Sequence, residues 1–545
     1  MKSRKLFRGS VITIAGLLFA YVVLSQYAKV KGVSFVDLVS KVFPEKVEEI
    51  INGGNKIIYL STSLPETLKT GITDWANDKY LLVYFSEEPE SNANYVLSSQ
   101  DFGEYDLAWK KYYVPVVSVK SHLDGISTEE FTNLLAGNAV VVSDNAYELV
   151  ISNSSGSYLN NNYTLGVSVP SSSEITEQIY ADAGLIGFLP FEEVNSKVKI
   201  ISIGEDNLLT NFNDDTYPFI EYVWVKDTTS VGLFEEVQGV LGTVNFDPES
   251  LTTAVITGTS VMGARGLFQK SEEVGDPIYP IREVANILKN ADIAHVSNEA
   301  AFVSGCEQGS WSLVFCGTLE SFDAFTFAGI DVVGLTGNHV LDYGDKKFIE
   351  TLDLYEENGI QYFGGGKNFT DAHTPAVETV NGMTFAFLGY NNIPPVSSFA
   401  TSSDPGSAEL DLNQMTADIS DAASKYDFVL VDMQWGNEYE NTPLIYQEEY
   451  GRAAIDAGAD VVTGVHPHWV QKMEYYKGGV IFYGIGNLLF DQMWSQRTRE
   501  GIMVKHYFHN GSYIGFKLIP TIIYEGAQPR LVSGAEAEKI IDYLF

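Results

Sequence analysis

Only two cysteines and eight histidines occur among the 545 residues, and 34 lysines and arginines face 71 aspartates and glutamates. Each scarcity excludes something. Two cysteines rule out a disulfide-dense scaffold, and without a paired Cys-x-x-Cys they rule out a thiolate zinc site. A formal charge of −37 makes a surface that repels nucleic acid and anionic lipid, so neither is expected as a partner. The same surface weighs against broad docking on a polyanion, while leaving room for a local cationic or metal-bearing site that holds one anion. Wholesale disorder is excluded by a hydrophobic content of 45% and an aromatic content of 13%.

A chain of this length exceeds one hydrophobic core, so two or three domains are expected. Lys2, Arg4, Lys5 and Arg8 precede the uncharged run Gly9 to Ala28. About 20 such residues cross a bilayer as a helix, and the cationic flank keeps the N-terminus cytoplasmic. A cleaved signal peptide is the rival, but Ser25-Gln-Tyr-Ala28 offers no clean small-x-small site. Residues 1–28 are therefore expected to be a signal anchor, with the bulk of a single-pass membrane protein extracytoplasmic. Cys306 and Cys316 lie ten apart, and an oxidising compartment favours a disulfide between them; two buried free thiols are the alternative.

Residues 29–55 are expected to form a stalk, and residues 56–240 a first α/β domain with short β-rich runs. Ser127 with Glu130 three residues later is a capping-box signature for a helix. Ser152–Asn162, rich in Ser and Asn, is expected to be a surface loop, with a ligand-cradling loop as the alternative. Val114-Pro-Val-Val-Ser-Val119, Gly125-Ile-Ser-Thr-Glu-Glu-Phe131 and Ala183-Gly-Leu-Ile-Gly-Phe-Leu-Pro190 resemble segments of phosphate-type periplasmic binding proteins. That resemblance implies a binding-protein-like fold here, and raises a solute receptor as one reading of the chain. Gly242 to Glu249 would link this domain to the next.

Residues 250–530 alternate strands with helices, the pattern of a layered α/β domain. Strands are expected at 253–257, 293–297, 332–336, 385–389, 428–432, 461–463 and 480–483, with helices at 280–290, 343–358, 412–425 and 444–457. Polar residues just past strand ends converge on one edge of such a sheet. Those residues are Thr259, Glu299, Asn338, His339, Gln434, His466 and His468. If His466 and His468 lie on extended backbone, positions i and i+2 share a face, and neutral imidazoles suit zinc, manganese or iron. Two surface histidines are the bland alternative. A core packed for stability alone does not gather imidazoles and carboxylates at one edge.

The ordered segments Gly258-Thr259, Asn298-Glu299, Gly337-Asn-His-Val-Leu-Asp-Tyr-Gly344, Gln434-Trp-Gly-Asn-Glu-Tyr439, Gly458 to His468 and Phe482 to Gln492 resemble the CapA family of capsule and poly-γ-glutamate synthesis proteins. The resemblance implies a calcineurin-like metallophosphoesterase sandwich, one or two divalent ions, and a cell-surface polymer or its synthesis machinery as partner. It implies ligand roles for Glu299, Asn338, His466, His468, Gln434 and Thr259. His339 would protonate a leaving group, orient a phosphoryl oxygen, or serve as a ligand. Two positions depart from the family: Thr259 replaces an Asp and Gln434 replaces a His. Both are neutral oxygen donors, so a stable metal pair is doubtful, and a non-catalytic scaffold stands beside metal-dependent hydrolysis or transfer. Asp342 is expected to cap the helix near Tyr343, and Glu438 to be structural. Arg265 and Arg452 are expected to be solvated, with an anion-partner role as the alternative, His295 to be a satisfied core residue, and His506 and His509 to be peripheral.

Overall fold

A computed structural model describes residues 57–545, apart from residues 63, 65, 79–81, 87–94, 100–104, 167–174, 228–233, 243 and 307–312. The expected anchor at 1–28 and stalk at 29–55 lie outside the described residues. Among those described, no helix is long and apolar enough to cross a membrane.

The first region is built on a nine-stranded mixed sheet. Its spine is the 13-residue strand Asp106–Ser118, paired antiparallel with Ile220–Asp227 on one side and Leu185–Pro190 on the other. Helix Thr128–Leu135 starts at the expected capping box, where the Ser127 side chain accepts from Glu130 N and the Glu130 carboxylate accepts from Ser127 N. Ser152–Asn162 is not a loop. Ser152 caps helix Asn153–Asn162 by accepting from Ser155 N, and the helix buries its own Tyr158 and Leu159. The Ser and Asn content points to a loop, but the N-cap chemistry and one apolar face prevail. The linker is pinned: Asn245 bonds both Tyr112 N and Tyr112 O, Phe246 is buried, and Asp247 N donates to His509 Nε2.

The second region holds two sheets facing each other. In one, strands run Gln361–Phe363, Val332–Gly334, Ile293–Asn298, Leu251–Ile256, Glu500–His509, Ser512–Tyr524 and Gln528–Leu531. In the other they run Ala376–Val380, Met383–Asn391, Phe428–Gln434, Val461–Val465, Gly479–Phe482 and Met473–Tyr476. Strand alternation decides which layer each side chain joins. Ala254, Ile256, Phe385, Phe387, Leu430 and Val461 fill the space between the sheets. Their neighbours Val255, Ala386, Leu388, Val429, Val431 and Val462 face outward onto helices. Helix Asp345–Glu357 places Phe348, Leu352 and Tyr355 on one such face, at helical spacing. Each large apolar side chain buried this way contributes roughly 1.5–3 kcal/mol. The result is helix, sheet, sheet, helix, in four layers.

His295 bridges the two sheets: its Nε2 lies 3.0 Å from Asp432 Oδ2, both side chains nearly or wholly buried, without a well-aligned hydrogen bond. Thr257 N also approaches His295 Nδ1 at 3.4 Å. The expected core histidine is thus paired across the sheets with a carboxylate. The expected strands and helices match the observed ones to within a few residues. Helix 280–290 is the exception; it divides into a short 3₁₀ turn at Tyr279–Ile281 and helix Ala285–Lys289.

Candidate metal centre

The parallel strands of both sheets end at one edge, and the loops that leave them carry the polar cluster. Glu299 follows Ile293–Asn298, Asn338 and His339 follow Val332–Gly334, and Gln434 ends Phe428–Gln434. His466 follows the end of Val461–Val465. The two loop histidines are not on extended backbone: His466 has φ 90° and His468 φ 58°, both left-handed. Such conformations cost of order 1–3 kcal/mol each for a residue other than glycine, so the surrounding loop holds them against strain. Their rings nevertheless converge, with centroids 5.8 Å apart.

The tautomer of His468 follows from its partner. Both amide hydrogens of Asn487 are used, by Gln492 Oε1 and Thr498 O, so its Oδ1 faces His468. His468 Nδ1 therefore donates to Asn487 Oδ1 at 2.8 Å and leaves the Nε2 lone pair free. That Nε2 lies 4.0 Å from Glu438 Oε1, and one ligand atom each from Glu438, His466 and His468 falls within 4.8 Å of the others. Burial, followed by the nearby His468 and His339, lowers the His466 pKa to about 3. Burial lowers His468 as well, against the opposing pull of Glu299, the Asn487 hydrogen bond and Glu438. Both are neutral at physiological pH, the form in which imidazole binds a metal. Two neutral imidazoles and a carboxylate fit one divalent ion.

Next to this trio sits a second cluster with a different occupant. The Gln434 Nε2 amide donates to Glu299 Oε1 and Asn338 Oδ1, each at 3.1 Å, and lies 3.5 Å from His466 Nδ1. The amide N–H group thus sits among three ligand-type atoms, where a cation would otherwise gather them. Gln434 Oε1 is buried without a hydrogen-bond partner. Thr259 is fully buried, and its hydroxyl accepts from the backbone N–H of His466. Its role there is to fix the histidine loop.

His339 Nδ1 and Asp342 Oδ2 meet at 2.8 Å, and Asp342 Oδ2 also accepts from Phe315 N. Burial works against a charged His339, but the Asp342 hydrogen bond and the fields of Glu299, Asp342 and Glu438 outweigh it and raise its pKa. Asp342 is consequently not the helix cap; that place belongs to Gly344, and Asp342 orients His339 instead. Glu438, expected to be structural, brings a carboxylate oxygen to within ligand-atom range of the two histidines. Its signal was its position, four residues past Gln434 in the same strand-end loop. Asn487, the first residue of the short strand Asn487–Leu489, was legible only as part of a motif.

Arg265 is buried rather than solvated; it pairs with Asp491 and lies over the Phe315 and Phe490 rings. Arg452 holds Glu474 from a more exposed position. His506 and His509 lie away from the cluster, on Tyr513 and Asp247 respectively. Cys306 and Cys316 form a disulfide, with Cα atoms 6.0 Å apart.

Residues 253–492 match the family described as bacterial capsule synthesis protein PGA_cap. The capsule biosynthesis protein CapA of Bacillus anthracis is 31% identical over 270 residues, which cover 48% of this chain and 66% of that protein. The PGA biosynthesis protein CapA of Bacillus subtilis is 28% identical over 295 residues, or 54% and 77% of the two chains. The chain thus spans about two thirds of the first relative's length. Among solved structures, a 5'-nucleotidase precursor from Thermus thermophilus covers 54% of this chain and 58% of its own, at 15% identity and a TM-score of 0.32. An ABC-type phosphate transport receptor from Vibrio cholerae covers 34% and 93%, at 14% identity and a TM-score of 0.26. At such scores these two likenesses are descriptive only. Through residues 253–492, this chain belongs to the CapA family of bacterial capsule synthesis proteins.

Proposed function

We propose that this protein acts in the synthesis or export of a capsule or poly-γ-glutamate-type polymer, as a membrane-anchored extracytoplasmic component carrying a one-ion metal site. In this proposal, a calcineurin-like sandwich at residues 250–530 follows a binding-protein-like domain at 56–240. The observation that carries the metal reading is the convergence of Glu438, His466 and His468 beside Glu299 and Asn338. Zinc, manganese and iron all suit such donors. When bound, a divalent ion supplies Lewis acidity to a phosphoryl or acyl oxygen and acidifies a water molecule.

The remaining chemistry belongs to the chain. His468 is aimed by Asn487, and the charged form of His339 is favoured, against burial, by Asp342 and the nearby glutamates. With Nδ1 turned toward Asp342, His339 has Nε2 left to protonate a departing oxygen or nitrogen of a phosphoester or amide. Gln434 favours a second reading, in which the fold persists as a scaffold without turnover, because its amide already satisfies Glu299 and Asn338.

The test is elemental analysis of the chain purified without chelator or nickel affinity. Near-stoichiometric zinc, manganese or iron that disappears in His466→Ala supports the one-ion site. Folded, metal-free protein refutes it. Rescue of a capsule-deficient strain by a chain lacking both His466 and His468 would eliminate the enzyme reading and leave the scaffold.

A further inference from the structure

Cations are scarce on this chain, yet three lysines meet where the two regions touch. Lys505 and Lys517 stand directly opposite each other across antiparallel strands Glu500–His509 and Ser512–Tyr524. Like charges so placed repel. Lys199, from the first region, reaches the same face and pairs with Asp124 at 2.8 Å. Burial holds the Lys199 ammonium below its usual range, Asp124 pulls it upward, and Lys517 pushes it down again. Lys505 lies over the Tyr507 ring, and Asp292 is its acidic neighbour. Lys517 is exposed and makes no ion pair at contact distance and no side-chain hydrogen bond among the described residues, while the nearby Asp124 carboxylate is shared between it and Lys199.

Lys199 and Lys517, but not Lys505, line a cavity of about 120 Å³ together with Asp124, Ser202, Asn207 and Tyr507. A wider cavity of about 420 Å³ shares Asp124, Lys199 and Lys517 with it, so a bound group has a route outward. None of the metal-centre residues lines either space.

We propose that this seam is a carboxylate-binding site, in which Lys517 and Lys199 hold one carboxylate and the wider cavity receives the rest of an acidic molecule. Three lysines share one seam of a chain of net charge −37, with Asp124 as the carboxylate between Lys199 and Lys517, so the seam has a surplus of positive charge that a bound anion would offset. A singly charged carboxylate suits it better than phosphate. The residues lining the two cavities include no arginine to grip a phosphate bidentately, and Asp124 repels a dianion more strongly. The site rests on the lysines alone; only an acidic polymer as the source of the carboxylate rests on the proposed function.

Calorimetric titration of the full chain with glutarate, with a short γ-glutamyl oligomer and with inorganic phosphate tests this. Glutarate should bind saturably, more weakly at high salt, and about tenfold more weakly in Lys517→Gln. Lys517→Gln should leave metal content unchanged and the melting temperature unchanged or raised, because it removes a repulsion. Oligomer binding that also depends on Lys517 identifies the polymer as the source, whereas glutarate binding alone supports a free dicarboxylate. No saturable binding of either carboxylate overturns the proposal, as does equal affinity in Lys517→Gln or a preference for phosphate. Because metal content is read separately, failure here is distinct from failure of the metal centre.

Discussion

Replacing Gln434 with alanine tests whether its amide stands in for a cation. In the metal-free protein the amide gives one hydrogen bond to the buried Glu299 carboxylate and one to Asn338, both at 3.1 Å. A hydrogen bond to a charged group contributes about 1.5–3 kcal/mol and a neutral one about 0.5–1.5. Gln434→Ala should therefore cost about 2–4 kcal/mol, mostly because Glu299 stays buried without its donor. For a region of this size that corresponds to a fall in Tm of about 4–8 °C. Calorimetry in chelator measures it. Manganese or zinc should then restore much of the loss in Gln434→Ala, because a cation can take the vacated position, and should raise the wild-type Tm less. Equal melting of the two proteins in chelator would refute the idea, as would identical metal-induced shifts.

Glu438→Gln should weaken metal binding about 10- to 100-fold while changing metal-free stability by no more than about 0.5 kcal/mol, since the side chain is half-exposed; metal titration with parallel urea unfolding checks both. The pKa values of His466 and His506 are lowered to about 3 by burial, so the unfolded chain takes up protons first as pH falls below 6.5. Stability should thus be highest above pH 6.5 and decline by about 1.5 kcal/mol per histidine between pH 6.5 and 5, above most carboxylate titration. His339, whose pKa is raised, opposes this with a contribution present at low pH and lost as pH rises through its folded value. Unfolding free energies that stay flat from pH 6.5 to 5 would contradict the burial of the two depressed histidines. Reducing the Cys306–Cys316 bond should cost roughly 2–3 kcal/mol, as for a short closed loop, and an unchanged Tm under reductant would show the bond to be dispensable.

The elements of the second region were legible because their signals are local. Short continuous apolar runs such as Phe385 to Gly389 and Phe428 to Asp432 read as strands buried on both faces. Helix Ile445–Ala457 ends where Gly458 takes up φ 113°. The gathering of Glu299, Asn338, Gln434 and the two loop histidines at one edge was legible too, since parallel strands deliver their following loops to the same side. Side-chain roles were less so. Asp342 sits where a helix cap belongs, but a carboxylate near His339 gains more from the imidazole and Phe315 N. The His466 and His468 rings converge through a strained turn, and not through strand alternation.

Composition, periodicity and motif order by themselves fixed a layered α/β second region, its family and the residues at its strand-end edge. The partners those residues chose depended on folding, because each pairing joins segments far apart in the chain. Gln434 meets Glu299 across 135 positions of sequence, and Thr259 meets His466 across 207. Which way an amide points, and which carboxylate faces an imidazole, is settled by the hydrogen-bond demands of buried neighbours. No local pattern records those neighbours, and for that reason Glu438 and Asp342 acquired their places only in the folded chain.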